Sequence, residues 1–263
     1  MPEGPEVANF VRSIASFLGK SDQLLSVTPL SGRYTKTPIE GLAKVQFPLV
    51  IETVSCKGKF IYWTFKGTET VIFNTLGMSG AWSNTPRCAR VKFETSAGDL
   101  FFNDARSFGT MKFSNRRELA TKLVSLGPDM LNEDVSASDF KMRMRVHPGL
   151  TLAEALMNQG IISGVGNYLK ADSLWLAKLS PHRLVSQCTI ADLDTLWACV
   201  RTVIKGAFLN GGSTISTYVG FDGKNGGHTM LVYGRKTDPN GEVVVSVETK
   251  DGRTTWWAPQ VQL

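Results

Sequence analysis

Hydrophobic residues in this 263-residue chain follow two different periods. From about residue 24 to 113 the period is two. Phe60, Tyr62 and Thr64 alternate with Ile61, Trp63 and Phe65, and Val91 and Phe93 lead into a turn at Ser96-Ala97-Gly98-Asp99 from which Leu100 to Phe102 return. Such alternation puts successive side chains on opposite faces of a strand, and tight turns between the strands imply an antiparallel sandwich or barrel. Beyond residue 150 the spacing becomes helical, over roughly 151–159, 167–177 and 190–209, with Gly- and Pro-bearing turns at Ser163-Gly164-Val165-Gly166 and Ser180-Pro181-His182. One helix precedes the strands: Val7, Phe10, Val11, Ile14 and Leu18 share a face, Pro5 suits a first turn and Gly19 a stop.

These patterns predict an α+β chain, a helix-capped antiparallel β domain followed by a helical domain. The boundaries read as 1–130 for the β domain, 131–146 for a polar linker, 147–231 for the helical domain with a long polar loop at 211–228, and 232–263 for a terminal β-hairpin. In that hairpin Gly241 to Val247 and Arg253 to Trp257 flank the turn Lys250-Asp251-Gly252. No internal repeat or low-complexity tract interrupts the pattern.

Composition excludes several classes. Hydrophobic residues make up 42% of the chain, too many for disorder, yet no apolar run nears the roughly 20 residues that cross a bilayer. The start, MPEGPEVANF, lacks the basic-then-apolar profile of a secretory signal. Four cysteines (Cys56, Cys88, Cys188, Cys199) form no CxxC pair and three histidines are scattered, which disfavours both a zinc site and a disulfide framework and points to a reducing, intracellular setting. The net charge of +6 favours an anionic partner. That charge is concentrated: residues 1–130 hold 16 of the 29 basic residues against 11 of the 23 acidic ones.

The N-terminus offers chemistry. If Met1 is removed, as a small second residue permits, Pro2 presents a secondary amine, and an α-amino group titrates near 7.7–8.0, so part of it is neutral around pH 7. Such an amine can attack a sugar carbon and form an iminium with the opened ring. Glu3 beside it, and Glu6 one helical turn on, could protonate a ring oxygen or relay protons. Proline at a helix start and glutamate in its first turn are also ordinary capping chemistry.

Seven segments, in order, resemble one family. They are MPEGPEV at residue 1, Lys57-Gly58-Lys59-Phe60, Leu76-Gly77-Met78-Ser79-Gly80, Asp104-Ala105-Arg106-Ser107-Phe108-Gly109, Leu126-Gly127-Pro128-Asp129, Ser163-Gly164-Val165-Gly166-Asn167-Tyr168 and Val232-Tyr233-Gly234-Arg235-Lys236. Together they are similar to the formamidopyrimidine-DNA glycosylase/endonuclease VIII family of bifunctional DNA repair enzymes. The resemblance implies a β-sandwich, a helix–two-turn–helix domain and a C-terminal finger. It implies Pro2 as nucleophile, Glu3 as acid/base, and Lys59, on a strand, as a contact to the phosphate flanking the lesion. Met78, Arg106 and Phe108 resemble the trio that fills the hole left by an everted base, where an apolar wedge and a guanidinium offset part of the unstacking cost. Asn167, at a Gly-rich turn opening a helix, would meet a phosphate or cap the helix. Arg90 is a further phosphate-contact candidate, with a solvated arginine as the alternative.

The chain also departs from the family pattern. Common members end in a four-cysteine zinc finger, whereas no cysteine follows Cys199 here. The terminal hairpin resembles the zincless finger of some eukaryotic and viral members, which makes Arg253 the finger arginine that grips a phosphate and aids the second elimination. Stacked Trp256 and Trp257 would stand in for the metal as packing support. Leu156-Met157-Asn158-Gln159 and His147-Pro148-Gly149 depart from the family where it carries a phosphate contact. Ser213, Thr214, Thr217 and Tyr218 resemble the capping loop of oxidised-purine enzymes, while the MPEGPE start and the zincless finger lean toward oxidised-pyrimidine enzymes. Formamidopyrimidines fit either reading and 8-oxoguanine is left open. The expectation is a monomer acting on damaged double-stranded DNA with no cofactor, metal or membrane. A non-catalytic binder of damaged or abasic DNA on the same scaffold is the alternative.

Overall fold

The computed structural model describes residues 1–215 and 218–263. Two compact units emerge: residues 1–125 with 211–227, and residues 126–210 with 228–263.

The first unit opens with helix α1 (Gly4–Phe17), which buries Val7, Phe10 and Ile14 along one face and ends at Leu18, one residue before Gly19. The rest of the unit is strand β1 (Gln23–Pro29), the short helix α2 (Arg33–Lys36), strands β2 (Leu49–Lys57), β3 (Phe60–Phe65), β4 (Thr70–Thr75), β5 (Gly80–Ser83), β6 (Ala89–Thr95), β7 (Gly98–Asp104) and β8 (Thr110–Asn115), and helix α3 (Arg116–Ser125). The strands pair antiparallel in the order β5-β7-β6-β1-β2-β3-β4-β8. Beside the short β1–β2 junction, Gln23↔Val50 and Leu24↔Leu49, the register shifts at Leu24/Ser26 in β1 and at Ile51/Thr53 in β2. Irregularities of this kind bend a strand. Here they fold the two halves of the sheet into a sandwich over one core, in which Trp63 and Phe65 of β3 meet Trp82, Phe93 and Phe102 of the other half. Trp82 packs at 5.0 Å from Phe93 and 5.4 Å from Phe102, and its indole N–H donates to Asn74 Oδ1 at 2.9 Å.

The second unit holds helices α4 (Ala137–Arg145), α5 (Leu152–Met157), α6 (Asn167–Leu176) and α7 (Ile190–Leu209), then the hairpin β9 (Val245–Thr249) and β10 (Arg253–Trp257). Ser136, Thr151 and Thr189 cap α4, α5 and α7 through their hydroxyls, each accepting the backbone N–H three residues on.

Three expectations change. The stretch 131–146, expected as a linker, contains α4, whose Phe140 and Met144 are buried and whose Lys141 pairs with Asp194 of α7 at 2.6 Å. Leu126–Asp129, read as the end of the first domain, starts the second unit. The Gly127 N–H donates to Gln159 O at 2.8 Å, and a Cβ there would run into the carbonyl of Ile161. The loop 211–227 does not belong with the helices: Tyr218 packs on Phe10 and Phe221 on Phe17 of α1, which places it in the first unit.

Candidate active site and nucleic-acid interface

The start of the chain is buried. Pro2, Glu3 and Glu6 are all buried, with Glu3 at the N-cap of α1. The Glu3 N–H donates to Glu6 Oε2 at 2.8 Å, so Glu6 closes the first turn on itself. Its other oxygen, Oε1, accepts the Ser213 N–H at 2.8 Å. A buried carboxylate that accepts backbone N–H groups on both oxygens is a stable arrangement because its desolvation is compensated. Burial pushes the amino group of Met1 below its ordinary value. Glu3 and Glu6 oppose this, whereas Lys59 and Arg106 push it further down. The Met1 amino group, Glu3, Glu6, Lys59 and Arg106 thus share one electrostatic environment although they come from separate parts of the sequence. Lys59 is not on a strand as expected: Lys57 pairs with Phe60, so Gly58 and Lys59 form a two-residue hairpin turn, with Gly58 left-handed at φ +58°.

The loops 76–80 and 104–109 are bound into one body. Asp104, fully buried, accepts the Ser79 hydroxyl on Oδ1 at 2.5 Å and the Gly109 N–H on Oδ2 at 2.7 Å, and Ser79 Oγ in turn accepts the Arg106 N–H at 3.0 Å. Gly77 is left-handed at φ +60°, and a Cβ there would lie 2.6 Å from the Phe108 carbonyl carbon. The loops therefore meet backbone to backbone, which a side chain would prevent. From this base Phe108 stands 52% exposed, an unusual exposure for a phenyl ring, with the Arg106 guanidinium 4.8 Å from its centroid; Met78 is half-buried within the first of the two loops. Arg90, expected as a phosphate contact, is instead a clamp. Its Nε donates to Asp104 O at 2.6 Å, Nη2 to Ala105 O at 2.8 Å and Nη1 to Ser31 Oγ at 3.1 Å, so most of its guanidinium fork is spent holding the 104–105 turn.

The capping-loop candidates divide. Ser213 is buried with its hydroxyl unpartnered, while Thr214 is exposed. Thr217 lies outside the described residues. Tyr218, expected to read a lesion, is a core residue: it packs edge-on to Phe10 at 5.6 Å, donates to Gly211 O at 3.0 Å, and burial pushes its phenol far up. Gly212 is required beneath it, since a Cβ would lie 2.5 Å from the ring.

In the second unit α6 organises the hairpin. Gly166, not Asn167, occupies the N-cap, and the Asn167 amide donates to Thr254 O of β10 at 2.8 Å while its Oδ1 is buried without a partner. Lys170 meets Asp251 of the hairpin turn at 2.7 Å. Asp172 accepts the N–H groups of Leu231, Val232 and Tyr233, and burial nevertheless pushes its carboxyl up. Gln159 fixes the turn before α6, donating to Val165 O and accepting the Gly164 N–H. Arg253 begins β10 with its side chain exposed. Trp256 and Trp257 are not stacked on each other, because adjacent residues on a strand face opposite sides. Trp256 packs on Tyr233 at 4.5 Å within a cluster that includes Val232, Val244 and Ala258, and Trp257 meets His182 at 5.3 Å. That apolar cluster has no thiol, and among the described residues no group of His, Cys, Asp and Glu could hold a metal, so a finger zinc does not fit this chain. Among the described residues no helix is long and apolar enough to cross a membrane.

Residues 1–111 match the family model for the formamidopyrimidine-DNA glycosylase N-terminal domain, and residues 126–219 match that for the formamidopyrimidine-DNA glycosylase H2TH domain. The chain belongs to the formamidopyrimidine-DNA glycosylase/endonuclease VIII family. The formamidopyrimidine-DNA glycosylases of Glaesserella parasuis and Listeria monocytogenes are 28% and 27% identical to it, over 100% of this chain and 98% and 100% of theirs. The crystal structure of the MutM (Fpg) protein from Thermus thermophilus superposes with a TM-score of 0.87 at 27% identity, covering 99% of this chain and 98% of that one. A Lactococcus lactis Fpg mutant in complex with Fapy-dG-containing DNA shares the fold, with a TM-score of 0.86 at 24% identity over 99% of both chains.

Within this glycosylase-family fold, sequence reasoning missed Asp104 as the brace of the two loops, although its place at the head of the Asp-x-Arg-x-Phe-Gly segment marked it. It also missed Lys170 and Asp172, which read as ordinary helix residues.

Proposed function

We propose that this chain is a bifunctional DNA glycosylase and abasic-site lyase of base excision repair. Its substrate is damaged duplex DNA bearing oxidised bases, with formamidopyrimidines foremost. The observation that carries the reading is the buried chain start, where Pro2 and Glu3 stand at the head of α1 and the amino group of the adjoining Met1 is held below its usual pKa by burial, with Lys59 and Arg106 adding to the effect. Removal of Met1 moves the amino group one residue along to Pro2, which is itself buried; the same surroundings would leave more of that amine neutral at pH 7, and only the neutral amine attacks.

With Met1 removed, the Pro2 nitrogen attacks C1′ and the bond from C1′ to the base breaks, the base leaving with the bonding pair and a proton. Glu3 protonates the ring oxygen as the sugar opens to an iminium. Loss of a C2′ proton then expels the 3′ phosphate, and a second elimination expels the 5′ phosphate, leaving a gap with phosphates on both ends. Lys59 and Arg253 are cations for the flanking phosphates. Phe108, Arg106 and Met78 occupy the space of the everted nucleotide, a role that suits a ring exposed on a rigid base.

The test is incubation of protein processed to Pro2 with duplexes carrying formamidopyrimidine, thymine glycol or 8-oxoguanine. Release of the formamidopyrimidine and a strand gap bearing both phosphates is the expected result. Tight, lesion-selective binding without base release would replace this reading with that of a damaged-DNA binding protein.

A further inference from the structure

Lys170 is fully buried on α6, and its ammonium is paired at 2.7 Å with a carboxylate oxygen of Asp251, whose side chain is 5% exposed. A buried lysine is costly and rare, and it is kept only where its charge has a partner. Here one such partner is the middle residue of a hairpin turn. Turns at a hairpin tip are ordinarily solvated and mobile.

The network continues from Asp251 to the neighbouring arginine. Asp251 Oδ1 accepts the backbone N–H of Arg253 at 3.2 Å and the Thr249 hydroxyl at 2.5 Å. Thr249 Oγ1 also lies 3.0 Å from Arg253 O and 2.7 Å from the hydroxyl of Thr255, a fully buried residue. One residue beyond Arg253, Asn167 of α6 donates to Thr254 O at 2.8 Å. The backbone N–H of Arg253 is thus held by Asp251, and its C=O lies beside the Thr249 hydroxyl, which has one proton to give to Asp251 or to that carbonyl, in a network anchored to α6 through the Lys170–Asp251 charge pair. The side chain of Arg253 remains exposed.

We infer that Lys170 and Asp251 are a positioning pair that fixes the reach of Arg253 toward a DNA phosphate. The pair ties the hairpin tip to α6, so Arg253 is presented from a fixed backbone. Removing either charge leaves the other buried without this counter-ion, and solvating it requires the tip to lift off the helix. The role assigned to Arg253 rests on the proposed function; the mechanical coupling of α6 to the tip does not.

The experiment uses the full chain, processed to Pro2, as wild type, Lys170→Met, Asp251→Asn, Arg253→Ala and the double variant Lys170→Met/Arg253→Ala. Hydrogen exchange is followed at the amides of residues 249–255, and affinity is measured for a duplex carrying a tetrahydrofuran abasic analogue. Lys170→Met and Asp251→Asn are expected to speed exchange at the tip by roughly tenfold or more and to leave α7 protected, while Arg253→Ala leaves exchange unchanged. All three single variants are expected to weaken DNA binding by about tenfold. Single-turnover base release at saturating enzyme is expected to stay within about threefold for Lys170→Met and Asp251→Asn. The double variant should be little worse than the weaker single one, since a misplaced arginine has little left to lose.

Unchanged tip exchange in both charge variants, or effects on affinity that multiply in the double variant, would overturn the positioning pair. Should Lys170→Met lose protection throughout α7, Asp251→Asn carries the test alone, because it preserves the shape of the turn. Wild-type protein that does not prefer the abasic duplex to undamaged DNA would overturn the functional reading, and the exchange arm then decides the coupling by itself.

Discussion

Glu6 Oε1 accepts the backbone N–H of Ser213 at 2.8 Å, joining the first turn of α1 to a loop 207 positions away. The other oxygen of the same carboxylate holds the N–H of Glu3. The chain start that would begin the chemistry and the loop that would cover a lesion therefore share one buried acceptor. Glutamine at position 6 keeps one carbonyl oxygen and turns an amide toward the second N–H, leaving a buried donor unsatisfied at about 1–3 kcal/mol. Glu6→Gln is expected to slow release of a damaged base roughly 10- to 100-fold in single-turnover assays while incision at a pre-formed abasic site falls much less. Equal losses on both substrates would show that the loop is not what Glu6 serves.

The wedge loops depend on a glycine contact. Gly77→Ala puts a methyl group 2.6 Å from the Phe108 carbonyl carbon and forces a left-handed backbone on a residue with a Cβ, whereas Gly67→Ala meets a similar φ of +68° in open space. The backbone strain alone is worth roughly 1–3 kcal/mol. Thermal unfolding is expected to show a clear loss for Gly67→Ala and a larger one for Gly77→Ala, and only Gly77→Ala should weaken lesion binding. Equal behaviour of the two variants would contradict a functional role for the close approach of the loops.

The amino group at the chain start carries a pH signature. Burial lowers the pKa of the Met1 amine, with Lys59 and Arg106 acting in the same direction, and the same direction is predicted for the Pro2 amine that replaces it on processing. The protonated form is inactive as a nucleophile, so single-turnover adduct formation is expected to rise with pH and level off at an inflection below the ordinary α-amino value of about 8. Replacing Lys59 by methionine removes a neighbouring positive charge, which lets the amine hold its proton more firmly. The inflection then moves to higher pH, independently of how far the plateau falls. A shift in the opposite direction would contradict the electrostatic placement of Lys59.

The hairpin's two tryptophans are expected to behave differently. Trp256 packs at 4.5 Å on Tyr233 inside an apolar cluster, so Trp256→Ala should destabilise the protein by about 2–4 kcal/mol, seen as a lower Tm and weaker DNA binding. The indole N–H of Trp257 is buried with no acceptor, and Trp257→Phe removes that unsatisfied donor, so its Tm should stay within roughly two degrees of wild type. A chelator should change neither protein, because the cluster that supports the hairpin is apolar.

Elements whose signal is local were legible in the sequence. The helix faces of α1 and α7, the strand β3, and the turn of the terminal hairpin at Lys250-Asp251-Gly252 all depend on neighbours a few positions apart. Helix α4 was hidden because its nine residues bury only Phe140 and Met144, which leaves a polar stretch that reads as a linker. Tyr218 reads as a loop residue until Phe10 is placed against it, and nothing in residues 211–227 announces that α1 is its partner. Arg90 looks like a surface cation because the carbonyls of Asp104 and Ala105 that take up its donors leave no trace in composition. The pair Lys170–Asp251 spans 81 positions and joins two residues that each suit an ordinary solvated face.

Pro2 is the residue to which the proposed function assigns the covalent chemistry, and trapping tests it most directly. Protein processed to Pro2 is mixed with a duplex bearing an abasic site or a formamidopyrimidine, reduced with borohydride, digested and mapped by mass spectrometry. The predicted result is a stable protein–DNA adduct with the sugar carbon on the Pro2 nitrogen. No adduct, or an adduct mapped to a lysine instead, would contradict it.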